Sequence, residues 1–83
     1  MPHINVKLFP GRTEVQKQEL TKEFVKSMGD VLGTEEWAVS IVFEEVNQED
    51  WEKEVVIPEL KGKHQLLYKP PGSSVEDGEF TRE

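Results

Sequence analysis

Most residue patterns that mark the reactive groups of an enzyme are missing from this 83-residue sequence. It contains no G-x-x-x-x-G-K phosphate loop, no G-x-G-x-x-G dinucleotide fingerprint and no H-E-x-x-H zinc motif. His3 and His64 are far apart in sequence and there is no cysteine, so we expect no metal site. Glu44 and Glu45 are neighbours in a strand-like run, and they therefore point to opposite faces and do not form an acid–base pair.

Three side chains remain as candidates for chemistry: Pro2, Arg12 and Trp51. Pro2 follows Met1 directly, Arg12 follows the first strand-like run, and Trp51 follows the second. Proline lacks a backbone N–H but is tolerated as the first residue of a strand, so its position has an explanation without chemistry. A seven-residue strand between Pro2 and Arg12 would separate them by more than about 20 Å, at roughly 3.3 Å per residue. One subunit cannot easily place both on a small substrate, whereas a neighbouring subunit can supply the arginine.

Hydrophobic periodicity predicts the elements that must position these residues. Residues 3–9 alternate apolar and polar side chains as in a half-buried strand, and the turn sequence PGR stops the strand. Thr13, with a glutamine three residues later, forms a capping box that predicts a helix from Glu14. Apolar residues at helical spacing continue it for roughly five turns, and Gly33 is suited to end it. Residues 37–46 predict a second strand, and a strand–helix–strand order implies parallel pairing through a right-handed crossover.

The remaining residues predict helical structure and a tail. Residues 47–55 indicate a capped short helix or turn, and residues 57–68 indicate a final helix with Pro58 in its first turn. Residues 73–83 contain four acidic side chains and one arginine, so we expect a disordered acidic tail. The predicted fold class is α/β (α+β), with one domain over residues 1–72.

Composition argues against several classes of function. Seventeen acidic residues against ten lysines and arginines give a formal net charge of −7, which disfavours binding to nucleic acid or to an anionic membrane surface. No apolar run is long enough to span a membrane, and the first residues do not form a signal peptide, so the default expectation is a cytoplasmic protein. Hydrophobic residues make up only 35%, and a domain of this size gains stability by burying surface in an oligomer.

Several segments taken together resemble the 4-oxalocrotonate tautomerase family of the tautomerase superfamily. They are MPHINVKL, PGRT with EVQKQELTKEF, VSIVFEEV and QEDW, which keep the order and spacing of the family over about residues 1–72. The longer C-terminal segment, and Trp51 where short hexameric members carry phenylalanine, are more similar to the dimeric bacterial subgroup. The resemblance implies a tautomerase-like β-α-β unit, a homodimer with a hexamer as second choice, no cofactor, and an isomerase that acts on a small 2-oxo acid or enol.

The resemblance also implies roles for individual residues. Met1 is removed, and the secondary amine of Pro2 becomes the general base that takes a proton next to a carbonyl and returns it at a different carbon. Arg12 binds the substrate carboxylate, and Trp51 forms a hydrophobic wall. Family members that act on dicarboxylates have a second arginine where Ser40 stands. Ser40 is therefore a further substrate-binding candidate, and a monoacid such as phenylpyruvate fits better than 4-oxalocrotonate.

Each assignment has a structural alternative. Pro2 permits removal of the initiator methionine, Arg12 is a solvated cation in a turn, and Trp51 is a core or interface aromatic residue. His3 is interpreted as a strand-surface residue, with a place in the pocket beside Pro2 as the alternative, and Trp37 is interpreted as a packing residue. The alternative to an enzyme is a non-catalytic binding module with the same fold, and the weaker alternative among enzymes is a proline-dependent dehalogenase or hydratase.

Overall fold

The computed structural model describes residues 1–72, which fall into two compact units. The first unit, Met1–Glu45, contains strand β1 (His3–Leu8), helix α1 (Glu14–Leu32) and strand β2 (Ser40–Glu45). The two strands form a parallel sheet in which His3 pairs with Ser40 and Leu8 pairs with Glu45. The predicted strand–helix–strand unit with parallel pairing is confirmed.

Helix α1 begins and ends at the residues that its capping signals predict. The hydroxyl of Thr13 accepts a hydrogen bond from the Gln16 N–H at 3.1 Å, and the Gln16 side chain accepts one from the Thr13 N–H at 2.9 Å. This pair is the predicted capping box, and the helix starts at Glu14. At the other end Gly33 adopts φ 71°, a left-handed conformation that favours glycine, and its N–H donates to the Gly29 carbonyl at 3.0 Å.

The two faces of the sheet differ in burial. One face carries partly buried apolar side chains, namely Ile4, Val6, Leu8, Ile41 and Phe43. Glu45 is on this face by strand alternation, and its carboxylate lies 2.8 Å from the ammonium of Lys17 on α1. Helix α1 therefore covers the apolar face. The opposite face carries the exposed side chains of His3, Asn5 and Ser40.

Strand β2 is shorter than predicted. The sequence favours a strand over residues 37–46, but Glu36–Ala38 form a 3₁₀ turn and β2 begins at Ser40. The turn is closed by the Ala38 N–H, which donates to the Glu35 carbonyl at 3.0 Å. Trp37 lies in this turn and is 72% exposed, so its interpretation as a packing residue does not hold within the single chain.

The second unit begins at Val46, and its helices differ from the prediction. It contains a 3₁₀ turn (Gln48–Asp50), a π-helix (Glu52–Lys61) and a second 3₁₀ turn (His64–Leu66). The first turn agrees with the short helix or turn predicted over residues 47–55. The helix predicted over residues 57–68 has the wrong bounds, because the helix begins five residues earlier and ends before Gly62. The predicted disordered tail, residues 73–83, lies outside the described residues.

Pro58 and Gly62 explain why the helix takes this form. In an α-helix, the Pro58 ring would clash with the carbonyl four residues earlier. The wider π-type pattern appears at the helix end, where the Gly62 N–H donates to the Ile57 carbonyl, five residues back, at 2.8 Å. A Cβ atom on Gly62 would lie 2.7 Å from the Pro58 carbonyl oxygen, so this close approach requires glycine. None of the helices within residues 1–72 is both long and apolar enough to cross a membrane.

Candidate active site

Pro2 precedes β1 and is half-buried. Its carbonyl oxygen accepts a hydrogen bond from the Ser40 N–H at 3.2 Å, so the ladder between the strands extends one residue beyond β1. A proline nitrogen has no hydrogen to donate, and the ladder does not use it. Met1, which precedes Pro2, is 91% exposed. The sheet therefore holds Pro2 by its carbonyl and leaves its nitrogen uncommitted.

His3 and Ser40 lie side by side next to Pro2. They are partners in the strand register, and His3 Nδ1 lies 2.7 Å from Ser40 Oγ. Both side chains are exposed on the sheet face opposite α1. Ser40 thus contacts the backbone of Pro2 and the side chain of His3 at the same time. Sequence reasoning missed this pair, since the register between two strands cannot be read from either strand alone.

Arg12 lies beyond the opposite end of β1. It follows Gly11, whose φ of 122° makes the turn suited to glycine. The Arg12 side chain is exposed, and it forms no ion pair with any residue in the range 1–72. The six residues of β1 separate Pro2 from Arg12 by about 20 Å at the usual strand rise. The single chain does not bring the two residues together.

A groove of about 550 Å³ opens beside Arg12. Its apolar lining comes from Leu8, Leu20 and Phe43. The polar and charged lining comes from the turn and the first half of α1, namely Arg12, Gln16, Lys17, Glu19, Lys22 and Glu23. An arginine beside apolar side chains suits a carboxylate that carries an apolar body.

Lys17 connects the start of α1 to the end of β2. Its ammonium lies 2.8 Å from the carboxylate of Glu45 and 3.9 Å from that of Glu14, and its side chain is only 18% exposed. The hydrogen bond to Glu45 raises the pKa of Lys17, partial burial opposes the shift, and the charges of Glu45 and Glu14 add to it. This ion pair joins the first turns of α1, which form one wall of the groove, to the end of the sheet.

Trp51 belongs to the second unit. Its N–H donates to the Gln48 carbonyl at the end of the 3₁₀ turn, and it stands directly before the π-helix. The side chain is half-buried, and its role as a wall beside the Pro2 amine stays a prediction. Within residues 1–72, no three histidine, aspartate or glutamate side chains are grouped closely enough to hold a metal ion.

The chain is similar to known tautomerases in sequence and in fold. Residues 2–61 match the family model described as tautomerase enzyme. A probable tautomerase of Xylella fastidiosa is 42% identical over 72 residues, which cover 87% of this chain and 88% of that protein. Tautomerase PptA of Cronobacter sakazakii is 36% identical over 73 residues, or 87% of this chain and 96% of that protein.

The solved structures similar to the chain include that of TomN, a 4-oxalocrotonate tautomerase homologue in the tomaymycin biosynthetic pathway. It aligns with a TM-score of 0.58 and 32% sequence identity. The alignment covers 60% of this chain and 77% of TomN. The chain and TomN are therefore similar in sequence as well as in their strand–helix–strand fold.

Proposed function

Because the chain belongs to the tautomerase family, we propose that it catalyses keto–enol or double-bond tautomerisation of a 2-oxo acid by proton transfer through Pro2. Family membership supports tautomerase-type activity in general. The observation that carries the finer proposal is the position of Pro2, which the Ser40 N–H holds by its carbonyl at 3.2 Å while the nitrogen takes part in no ladder bond.

The nitrogen of Pro2 becomes a base only at a chain terminus. Within the chain it is an amide without a basic lone pair, whereas after removal of Met1 it is a secondary amine. The pKa of an ordinary terminal amine is about 7.7–8.0, close to the neutral pH at which a general base works best. Proline at the second position permits the removal of Met1, and Met1 is 91% exposed, so its loss leaves no packing contact unfilled.

The proposed reaction needs no cofactor. The Pro2 amine takes the proton from the carbon next to the substrate carbonyl, and the electron pair of that C–H bond becomes the new carbon–carbon double bond. The resulting ammonium returns the proton at a different carbon. For the enol, the substrate oxygen takes a proton from water and the ammonium gives the α-proton to the hydroxide that remains. The electrons stay within the substrate, so no oxidant or reductant is consumed.

Arg12 and its groove support a substrate with one carboxylate and an apolar body. The guanidinium binds a carboxylate through two parallel hydrogen bonds, and Leu8 and Phe43 line the groove next to it. Ser40, the other proposed substrate-binding residue, stands where a second arginine would bind the second carboxylate of a dicarboxylate. The net charge of −7 also does not attract a dianion. With Trp51 as the proposed hydrophobic wall, this set favours phenylpyruvate as a probe substrate.

We place Arg12 of one copy at the Pro2 of a second copy. One small substrate cannot contact both residues in a single chain, because β1 separates them by about 20 Å. A homodimer is the smallest assembly that joins them, and a hexamer is the second choice. Apolar side chains that a second copy could cover support an assembly, since Val31 is 80% exposed and Trp37 is 72% exposed.

The proposal is tested by the ketonisation of enol-phenylpyruvate and of 2-hydroxymuconate, followed by ultraviolet absorbance. Intact mass first establishes that Met1 is absent. We expect Pro2→Ala to lower the rate at least about tenfold: a positioned general base contributes about 10²–10⁴-fold, and the primary amine that the substitution leaves is not held in place by a ring. Pro71→Ala, the same substitution near the other end of the described chain, should keep the rate.

Equal rates for Pro2→Ala and the unsubstituted protein would rule out the proline mechanism. A folded, assembled protein that lacks Met1 and turns over neither enol would favour the non-catalytic binding module.

A further inference from the structure

We infer that His3 is a second substrate-contacting residue, positioned by Ser40, and that its Nε2 donates a hydrogen bond to the carbonyl or enol oxygen of the substrate. The inference rests on the proposed role of Pro2 as the base. It changes the role of Ser40, which then acts mainly through the imidazole beside it.

The orientation of the His3 ring is set by Ser40. His3 Nδ1 lies 2.7 Å from Ser40 Oγ across an in-register strand pair. When the hydroxyl donates to Nδ1, the neutral ring carries its hydrogen on Nε2, which is then a donor. Within residues 1–72, the His3 side chain makes no other hydrogen bond. The Nε2 atom on this exposed side chain therefore has its hydrogen-bonding capacity left for a ligand.

The same serine also positions the proposed base. The Ser40 N–H binds the Pro2 carbonyl at 3.2 Å, and the Ser40 hydroxyl binds the ring of His3 at 2.7 Å. Pro2 and His3 are consecutive residues, so their separation is limited by a single peptide unit. One strand residue thus holds an amine that can take a proton and an imidazole that can meet an oxygen at the same end of the sheet.

The chemistry of the reaction needs a donor at this position. When Pro2 takes the α-proton, the C–H electron pair forms the carbon–carbon double bond and the carbonyl π pair moves to oxygen. A hydrogen bond from Nε2 to that oxygen strengthens as negative charge develops, so it stabilises the transition state more than the bound substrate. His3 keeps its own proton throughout, and the oxygen takes a proton from water to complete the enol, while the Pro2 ammonium gives the α-proton to the hydroxide that remains.

A set of four variants in the full-length chain without Met1 tests this role, with enol-phenylpyruvate as the substrate. They are His3→Ala, Ser40→Ala, Ser40→Thr and the double variant His3→Ala/Ser40→Ala. The matched control is Asn5→Ala, because the Asn5 side chain bonds to Glu44 at 2.9 Å between the same two strands. Asn5→Ala removes a similar side-chain hydrogen bond between the strands, on the same face of the sheet, without changing a residue of the proposed site.

We expect His3→Ala to lower kcat about tenfold with little change in KM. This is less than the roughly 10²–10³-fold effect of an oxyanion donor in an enclosed site, because the His3 side chain is exposed. Ser40→Ala should lower kcat about threefold, since the ring loses its orientation but not its donor. Ser40→Thr should recover most of that loss, and the double variant should be no slower than His3→Ala alone, because both changes act on one group.

Three results would overturn the inference while leaving the proline mechanism intact. They are an unchanged kcat in His3→Ala while Pro2→Ala is impaired, a rise in KM without a fall in kcat in His3→Ala, and a loss in Asn5→Ala equal to that in His3→Ala. If the unsubstituted protein shows no turnover, the proposed function fails first and the role of His3 fails with it.

Discussion

A mixture of two impaired variants tests whether the active site is shared between copies. Pro2→Ala keeps Arg12, and Arg12→Ala keeps Pro2. The six residues of β1 place these two groups about 20 Å apart in one chain, whereas a general base must be within hydrogen-bond reach of the proton that it takes. If both residues act on one substrate, each site must combine Pro2 from one chain with Arg12 from another.

The size of the effect follows from this geometry. Hydrogen bonds to a charged group contribute about 1.5–3 kcal/mol, so Arg12→Ala alone should lower kcat/KM roughly 10- to 100-fold. In an equal mixture that reassembles at random, a site receives an intact Pro2 with a probability of one half and an intact Arg12, independently, with a probability of one half. The mixture should regain about one quarter of the wild-type activity, in a dimer or in a larger ring.

The assay is ketonisation of enol-phenylpyruvate after the two variants are unfolded and refolded together. As a matched control, the unsubstituted chain is refolded with an equal amount of the double variant Pro2→Ala/Arg12→Ala. A shared site gives about one quarter of full activity in this control too, whereas a site within one chain gives about one half. A variant mixture no more active than the two variants measured separately would refute the shared site.

Three further substitutions test the elements around the site through the free energy of unfolding at fixed protein concentration. Thr13→Ala should cost about 1 kcal/mol, because the capping box of α1 is lost. Gly62→Ala should cost about 1–3 kcal/mol, since a Cβ would lie 2.7 Å from the Pro58 carbonyl oxygen. The hydrogen bond to Glu45 raises the pKa of Lys17 above its ordinary 10.5. The charged lysine therefore stabilises the folded protein fully below pH 10.5, and this contribution is lost as the pH rises through the folded-state pKa. Lys17→Met should remove this loss of stability at alkaline pH.

Each of these predictions has a control in the chain. Thr13→Ser keeps the capping hydroxyl and should cost little. Gly29→Ala introduces a Cβ that meets only the Thr34 carbonyl oxygen, at 3.5 Å, so a loss equal to that of Gly62→Ala would contradict the steric argument. Lys26 pairs with Asp30 but is 70% exposed, and Lys26→Met should leave the alkaline transition of the protein in place.

The parts of the fold that were predictable depend on local signals. The capping box at Thr13 and the glycine after α1 each act within a few residues, and both ends of the helix follow from them. Trp37 illustrates the limit: aromatic and β-branched residues around it favour a strand, but a 3₁₀ turn holds it ahead of β2. Pro58 illustrates a second limit of prediction. A proline fits the first turn of an α-helix, but Pro58 lies inside a π-helix.

The sequence nominates individual residues for the candidate site but does not predict how they are arranged. Pro2, Arg12 and Trp51 were recognised by type and order along the chain. The strand spacing alone indicated that Pro2 and Arg12 lie too far apart for one substrate in one chain. The contact between His3 and Ser40 depends on a register between strands 37 residues apart in sequence, and no local pattern encodes that register.

The central claim is that the free secondary amine of Pro2 is the base. It is tested most directly by one chain measured in two forms, with Met1 retained and after its enzymatic removal, each form verified by intact mass. Turnover of enol-phenylpyruvate should be absent while Pro2 is an amide and should appear when Met1 is removed. Equal turnover by the two forms would contradict the claim.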